Sequence, residues 1–190
     1  QVNEWNMQFS PKKKLTIAVN LSGIQVVSKG LEKTIKEVIK STKIHANELY
    51  LEVTETMLVK EKELAKKSIK AIRELGVSTS IDDFGKGYCS LAYLQEFEFD
   101  VLKIDKDFVQ DMGPNSKGLQ LVRILMKLAR DFQMKVIAEG VETEEQFNQL
   151  KKMKCPFIQG YYFSRPLSAE KTRLILTAGC HLDANLLLTM

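Results

Sequence analysis

The stretch Val77–Leu91, which reads V-S-T-S-I-D-D-F-G-K-G-Y-C-S-L, contains the feature that decides the fold. A short apolar run with strand character ends in two adjacent carboxylates, Asp82 and Asp83, and a loop with glycines at Gly85 and Gly87 follows. Two like charges about 4 Å apart repel by roughly 4 kcal/mol at an effective dielectric constant near 20. The pair therefore predicts a divalent-metal site, and a simple Asp/Gly turn is the alternative interpretation.

The composition is that of an ordinary globular domain, with 190 residues, 44% hydrophobic and 27% charged. The net charge of +4 is spread over many lysines, which permits an anionic ligand but does not indicate a nucleic-acid polymer. Cys89, Cys155 and Cys180 lack metal-ligand spacing, and their odd number favours a reducing cytosol over a disulfide framework. No apolar run is long enough to span a membrane, so we expect no membrane contact by this segment.

Short apolar runs alternate with amphipathic stretches, which predicts repeated strand-helix units. The predicted strands are Leu15–Ser22, Leu49–Glu55, Val77–Asp82, Val101–Asp105, Lys135–Gly140 and Phe157–Phe163. The predicted helices are Gly30–Thr42, Glu61–Leu75 (ended by Gly76), Ser90–Glu96, Lys117–Phe132, one that starts at a capping box of Thr143 and Gln146, and one from Pro166 to about Ala178.

Two parallel-sheet architectures fit this alternation, an open doubly wound sheet and a TIM-type (β/α)8 barrel. No G-x-G-x-x-G follows any predicted strand, which removes the main signal of dinucleotide binding. The barrel is favoured by the polar residues near the carboxyl ends of the strands. These are Asn20, Glu52 with Glu55, Asp82 with Asp83, Lys103 with Asp105, Glu139 with Glu142, and Gln159.

In a barrel these side chains converge at the carboxyl-terminal mouth, where barrel enzymes place their active sites. Taken singly, Asn20 or Gln159 is better explained as an edge position or a hydrogen-bonded core group. Several carboxylates buried together need cations, and Lys103 adds only one positive charge. The pattern therefore predicts one or two divalent ions with oxygen ligands, Mg²⁺ or Mn²⁺.

An acid-rich metal site beside a lysine suits attack of an activated water on a phosphodiester. Asp82 or its neighbour would bridge two ions, and Lys103 would polarise the water or hold a phosphate oxygen. The structural alternative for Lys103 is an ion pair with Asp105. Two other barrel chemistries stay open: a Schiff-base lysine, which nearby acids disfavour by raising the amine pKa, and an enolase-like proton abstraction.

Six segments of the chain match one known family in order and spacing, from about Trp5 to Leu176. They are N-L-S at Asn20–Ser22, L-E-V-T-E-T at Leu51–Thr56, D-D-F-G-K-G-Y at Asp82–Tyr88, L-K-I-D at Leu102–Asp105, E-G-V-E at Glu139–Glu142, and Q-G-Y-Y-F-S-R-P-L at Gln159–Leu167. The chain thus resembles the EAL-domain phosphodiesterases, which hydrolyse the bacterial second messenger cyclic di-GMP to linear 5′-pGpG.

The resemblance implies two Mg²⁺ or Mn²⁺ ions in a complete site. Asn20, Glu52 and Asp82 would hold the first ion, and Asp82, Asp83 and Glu139 would hold the second. The implied catalytic residues are Lys103, Glu139 and Asp82. The implied substrate-binding residues are Gln159, Glu142 and Asp105, and Glu55 is the implied anchor of the loop Phe84–Ser90, which in this family organises the metal site and often the dimer interface.

The chain departs from the family pattern at its start, because the E-A-L signature, whose Glu is a ligand of the first metal, is absent. A complete barrel takes about 250 residues, so we expect an incomplete barrel of about six units that lacks the first two strands. Residues 1–178 would form this partial domain, and residues 179–190 a tail. The start at Gln1 without Met also indicates a fragment of a longer protein.

The open edges at Leu15–Ser22 and Phe157–Phe163 predict self-association, such as a homodimer. We expect additional sensory or GGDEF-type domains in the full-length protein, and a cytoplasmic location, including the cytoplasmic part of a membrane-attached protein. Retention of Lys103, Glu139 and both aspartates favours an enzyme for the parent protein. The missing first-strand Glu favours weak or no turnover for the chain itself, and the alternative function is a non-catalytic module that binds cyclic di-GMP or a protein.

Overall fold

The structure is a computed structural model and describes residues 1–9, 14–86 and 91–177 of the chain. It divides into two compact units, Gln1–Val101 and Leu102–Met190. Strands and helices alternate along the described residues, as the sequence predicts. Within those residues, every helix is too short or too polar to cross a membrane.

The first unit is built on three strands, β1 (Ile17–Asn20), β2 (Leu49–Thr54) and β3 (Ser78–Phe84). β2 pairs in parallel with β1 on one side and with β3 on the other. The helices of this unit are α1 (Val2–Phe9), α2 (Gly23–Val26), α3 (Leu31–Thr42), α4 (Glu55–Lys60), α5 (Lys62–Glu74) and α6 (Leu91–Phe97), and a short 3-10 helix spans Ala46–Glu48.

The core of the first unit forms where the apolar face of α5 is buried. Ile69 and Ile72 are each 1% exposed, and Ile81 on β3 is fully buried. Their spacing of three along α5 is the helical periodicity that predicts this element. The helix ends where predicted, because Gly76 adopts a φ of +83°, a left-handed conformation that glycine adopts without steric cost.

The second unit holds most of β4 (Val101–Ile104), together with β5 (Lys135–Ala138) and β6 (Phe157–Ile158). β5 lies between β4 and β6, and its pairing with β6 is parallel. The helices are α7 (Lys106–Gln110), α8 (Lys117–Asp131), α9 (Glu144–Lys152) and α10 (Ala169–Thr177). The predicted capping box is confirmed, since the Thr143 hydroxyl accepts a hydrogen bond from the Gln146 N–H at the start of α9.

The prediction of a long strand over Phe157–Phe163 is wrong, because β6 ends at Ile158. The chain turns after Gln159: the Tyr162 N–H donates to the Val141 carbonyl over 2.9 Å, and the Phe163 N–H donates to the Gly160 carbonyl over 3.1 Å. The cause is a close approach of two backbone segments. A Cβ atom on Gly160 would lie 2.1 Å from the Val141 carbonyl oxygen.

Cys155 is the cysteine that lies within the described residues. Its thiol is buried, donates to the Phe157 carbonyl over 3.2 Å, and forms no disulfide. Burial raises the pKa of this thiol to about 11. Cys155 therefore stays neutral near pH 7 and is a packing residue rather than a metal ligand or nucleophile. Cys89, Cys180 and the predicted tail lie outside the described residues.

We predict that Gly160→Ala destabilises the protein, because the added Cβ would overlap the Val141 backbone. Overpacking of this kind costs about 1–3 kcal/mol. The matched control is Gly113→Ala, where the nearest atom to the added Cβ is 3.9 Å away. Thermal unfolding followed by circular dichroism should show a lower Tm for Gly160→Ala than for Gly113→Ala. Equal Tm values for the two variants would contradict the close approach.

Candidate active site

Three polar side chains of the first unit lie level with one another across its strands. The register pairs Asn20 on β1 with Glu52 on β2, and Glu52 with Ser80 on β3. Paired residues of neighbouring parallel strands present their side chains on the same face of a sheet. Asp82 lies two residues beyond Ser80 and so returns to that face. The first unit thus brings together Asn20, Glu52 and Asp82 on one face of the sheet.

The three side chains on this face differ in burial. Asn20 is exposed on β1, Asp82 is half-buried, and Glu52 is only 7% exposed. A carboxylate as buried as Glu52 must be satisfied by hydrogen bonds or by a cation. One amide and two carboxylate oxygens form the type of donor set that hard divalent cations such as Mg²⁺ and Mn²⁺ prefer. The chemistry of these residues therefore fits the predicted ion.

Within residues 1–9, 14–86 and 91–177, no three side chains drawn from His, Cys, Asp and Glu form a group that could hold a metal ion. The shared face in the first unit contains two carboxylates, Glu52 and Asp82. A third oxygen donor on this face is the Asn20 amide, which is not one of those four residue types.

Asp83 departs from the strand alternation. Its φ of +54° is left-handed, and its N–H donates to the Oδ1 atom of Asp82 over 3.0 Å. Asp82 and Asp83 therefore do not follow the usual alternation, in which neighbouring strand residues point to opposite faces of the sheet. Asp is one of the few non-glycine residues that tolerate this conformation, because its short side chain bonds locally to the backbone.

Glu55 lies at the start of α4 and is 2% exposed. Its Oε2 atom accepts a hydrogen bond from the Gly85 N–H over 3.0 Å. Gly85 has a φ of +101°, so this carboxylate holds a backbone conformation that favours glycine. The predicted loop Phe84–Ser90 continues through residues 87–90, which lie outside the described residues.

The second unit contains an ion pair between β4 and the end of β5. Lys103 Nζ lies 2.9 Å from Glu139 Oε1, and the two side chains are 7% and 18% exposed. The Glu139 N–H donates to the Ile104 carbonyl over 3.1 Å, which fixes the carboxylate beside β4. The ion pair therefore joins two of the predicted catalytic residues.

The remaining predicted residues of the second unit also follow strand ends. Asp105 is 3% exposed and caps α7, since its Oδ1 atom accepts the Asp107 N–H over 2.7 Å. Glu142 is exposed, and its Oε1 atom accepts from Gln110 Nε2 over 3.3 Å. The Gln159 backbone bonds to both Ala138 and Val141, which holds the residue just after β6.

Ser80 is the residue of this arrangement that the sequence did not reveal. It is 1% exposed and stands opposite Glu52 on the same face. A serine inside an apolar strand carries no charge and breaks no pattern, so only the register identifies it.

We predict that Glu55→Ala loosens the backbone at Gly85, because the Gly85 N–H loses its charged acceptor. A hydrogen bond to a charged group contributes about 1.5–3 kcal/mol. Hydrogen-deuterium exchange should show faster exchange of the Gly85 amide in Glu55→Ala. Glu55→Gln keeps an acceptor oxygen and should retain more protection. Identical exchange in both variants and in the wild type would show that Glu55 does not hold this segment.

Comparisons with known proteins agree on one family and one fold. The family model described as the EAL domain matches residues 1–166. The cyclic di-GMP phosphodiesterase NbdA of Pseudomonas aeruginosa is 36% identical over 162 residues, which are 85% of this chain and 21% of that protein. The chain spans only 20% to 26% of the length of this and other curated relatives that it matches.

Two solved structures extend the likeness to three dimensions. The EAL domain of Mycobacterium smegmatis DcpA has a TM-score of 0.86 at 30% identity, over 94% of this chain and 79% of that chain. Klebsiella pneumoniae BlrP1, solved as a manganese and cyclic di-GMP complex, has a TM-score of 0.76 at 28% identity, over 85% of this chain and 41% of that chain. The likeness confirms the predicted fold class, an incomplete TIM-type (β/α)8 fold.

Proposed function

The chain belongs to the EAL domain family, and from this premise we propose that the protein containing it hydrolyses cyclic di-GMP to linear 5′-pGpG. The observation that carries the proposal is the shared face of the first unit, where the β1–β2–β3 register aligns Asn20, Glu52 and Asp82. Such oxygen donors suit the divalent ions that phosphodiester hydrolysis uses. A cyclic di-GMP phosphodiesterase among the chain's relatives supports the choice of substrate.

The proposed cofactor is Mg²⁺ or Mn²⁺, with two ions per complete site. Asn20, Glu52 and Asp82 would hold the first ion, and Asp82, Asp83 and Glu139 are the proposed ligands of the second. When bound, such ions polarise phosphate oxygens and neutralise charge that develops during hydrolysis. The manganese in the Klebsiella BlrP1 complex supports a divalent cation of this kind.

Lys103 is the proposed catalytic cation. Its ammonium group would donate hydrogen bonds to the attacking water or to a phosphate oxygen, where a positive charge stabilises the transition state. Glu139, 2.9 Å away, orients this ammonium group and balances its charge in a largely buried position. Gln159, Glu142 and Asp105 are the proposed substrate-binding residues, and Glu55 is the proposed anchor of the loop that follows Asp83.

A second candidate function is a non-catalytic module that binds cyclic di-GMP or a protein partner. The exposure of Asn20 on the edge strand β1 favours it. A neutral, solvent-exposed amide is a weaker cation ligand than a carboxylate, so the first ion would be held less firmly. Binding could then occur without efficient turnover.

We predict that the protein containing this chain converts cyclic di-GMP to 5′-pGpG in the presence of Mn²⁺ and that EDTA stops the reaction. Glu139→Gln should lower the rate about 100-fold or more, because it removes a proposed ligand and the partner of Lys103. Circular dichroism should show the wild-type fold. Product formation is followed by liquid chromatography.

The matched control for this experiment is Glu145→Gln, which neutralises an exposed carboxylate at the start of α9. It should leave the rate unchanged. An undiminished rate in Glu139→Gln would remove Glu139 from the mechanism. Binding of cyclic di-GMP by the wild type without any product would instead select the non-catalytic function.

For the whole protein we also propose additional sensory or GGDEF-type domains and a cytoplasmic location.

We further propose self-association at the outer edge of β1. Among the described residues β1 pairs with β2 alone, and Val19 is 41% exposed. An exposed strand edge offers unpaired backbone groups to a second chain.

Self-association is tested by light scattering across a concentration series. We predict a mass above that of the 21.6 kDa monomer. Val19→Lys places a charge on the edge strand and should shift the population towards monomer. A monomer at all concentrations in the wild type would overturn the proposed association.

A further inference from the structure

A buried hydroxyl on β3 has no hydrogen-bond partner among the described residues. Ser80 is 1% exposed, and its Oγ atom makes no hydrogen bond there. Native proteins satisfy most buried polar side-chain atoms, so an exception of this kind calls for an explanation such as a bound water or ion.

The neighbouring hydroxyl of Thr79, on the opposite face of β3, does have a hydrogen-bond partner. Thr79 is 2% exposed, and its Oγ1 atom and N–H both bond to an Asp100 carboxylate oxygen, over 3.3 and 2.8 Å. Thr79 is therefore satisfied by its own surroundings. The unsatisfied hydroxyl on β3 is the one on the face of Glu52 and Asp82.

The position of Ser80 relates it to the oxygen donors of the first unit. It is the direct register partner of Glu52, and Asp82 follows two residues later on the same face. Metal-binding carboxylates are commonly oriented by a further hydrogen bond from a neighbouring group. A serine hydroxyl can donate one hydrogen bond and accept two, so it suits either a carboxylate oxygen or a water.

We propose that Ser80 is a positioning residue for a divalent cation held by Asn20, Glu52 and Asp82. Its hydroxyl donates to a Glu52 carboxylate oxygen, or to a water beside the cation, once the cation is bound. Binding of the cation would thus give this buried hydroxyl a hydrogen-bond partner, which favours the bound state. This inference rests on the proposed function, since it assumes a cation on this face.

The test measures Mn²⁺ affinity and thermal stability on the same samples, without substrate. Titration followed by electron paramagnetic resonance should show about 10- to 100-fold weaker Mn²⁺ binding in Ser80→Ala. The metal-free Tm of Ser80→Ala should equal or exceed that of the wild type, because the substitution removes an unsatisfied group.

Thr79→Val is the matched control, since it removes the neighbouring hydroxyl on the opposite face. It should lower the metal-free Tm, because Asp100 loses a hydrogen bond, and leave the Mn²⁺ affinity unchanged. A role of Ser80 in folding alone would produce this same pattern in Ser80→Ala.

Two outcomes overturn the inference: one removes only the role of Ser80, and the other also removes the proposed metal site. If the wild type binds Mn²⁺ and Ser80→Ala binds it equally well, the positioning role is wrong and the proposed metal site stands. If the wild type shows no Mn²⁺ binding up to millimolar concentration, the metal site in this chain is wrong, and the role of Ser80 falls with it.

Discussion

The parallel register of β1, β2 and β3 is the constraint on which the candidate site depends. Side chains alternate between the two faces of a strand, so a slip of one residue moves every side chain to the other face. The register observed here keeps Leu51 and Val53, which are 3% and 2% exposed, on the face opposite Glu52. The apolar packing of these two residues therefore fixes where the carboxylate points, and the hydrophobic core determines the geometry of a polar site.

Buried charge is stabilised in two different ways in this chain. In the second unit, Lys103 and Glu139 neutralise each other across 2.9 Å. In the first unit, Glu55 accepts a backbone N–H from Gly85. A buried ion pair gains little net stability over an apolar pair but is costly to break, so it specifies one arrangement of its two side chains. The hydrogen bond from the Gly85 N–H to Glu55 instead fixes the backbone conformation at Gly85.

Much of the fold was predictable, because long amphipathic helices and apolar strands carry strong periodic signals. α5 and α8 were predicted to within a residue or two at each end. The length of β6 was not predictable from the sequence, because the turn after Gln159 arises from a tertiary contact, the close approach of Gly160 to Val141. Short helices such as α2 and α7 could not be predicted either, because one helical turn is too short to show a periodic pattern of apolar residues.

The candidate site was predictable in composition more than in contacts. Charged residues at strand ends stand out in a sequence, so Glu52 and Glu139 were identified. The ion pair of Lys103 with Glu139 required coordinates, because no sequence pattern shows which carboxylate lies beside the ammonium group. Under the proposed function, the ligands of the first cation, Asn20, Glu52 and Asp82, lie in the first unit. Lys103 and Glu139, which is also a proposed ligand of the second cation, lie in the second. Register within one sheet therefore identifies the first set, whereas the second set is identified by an ion pair that no sequence pattern shows.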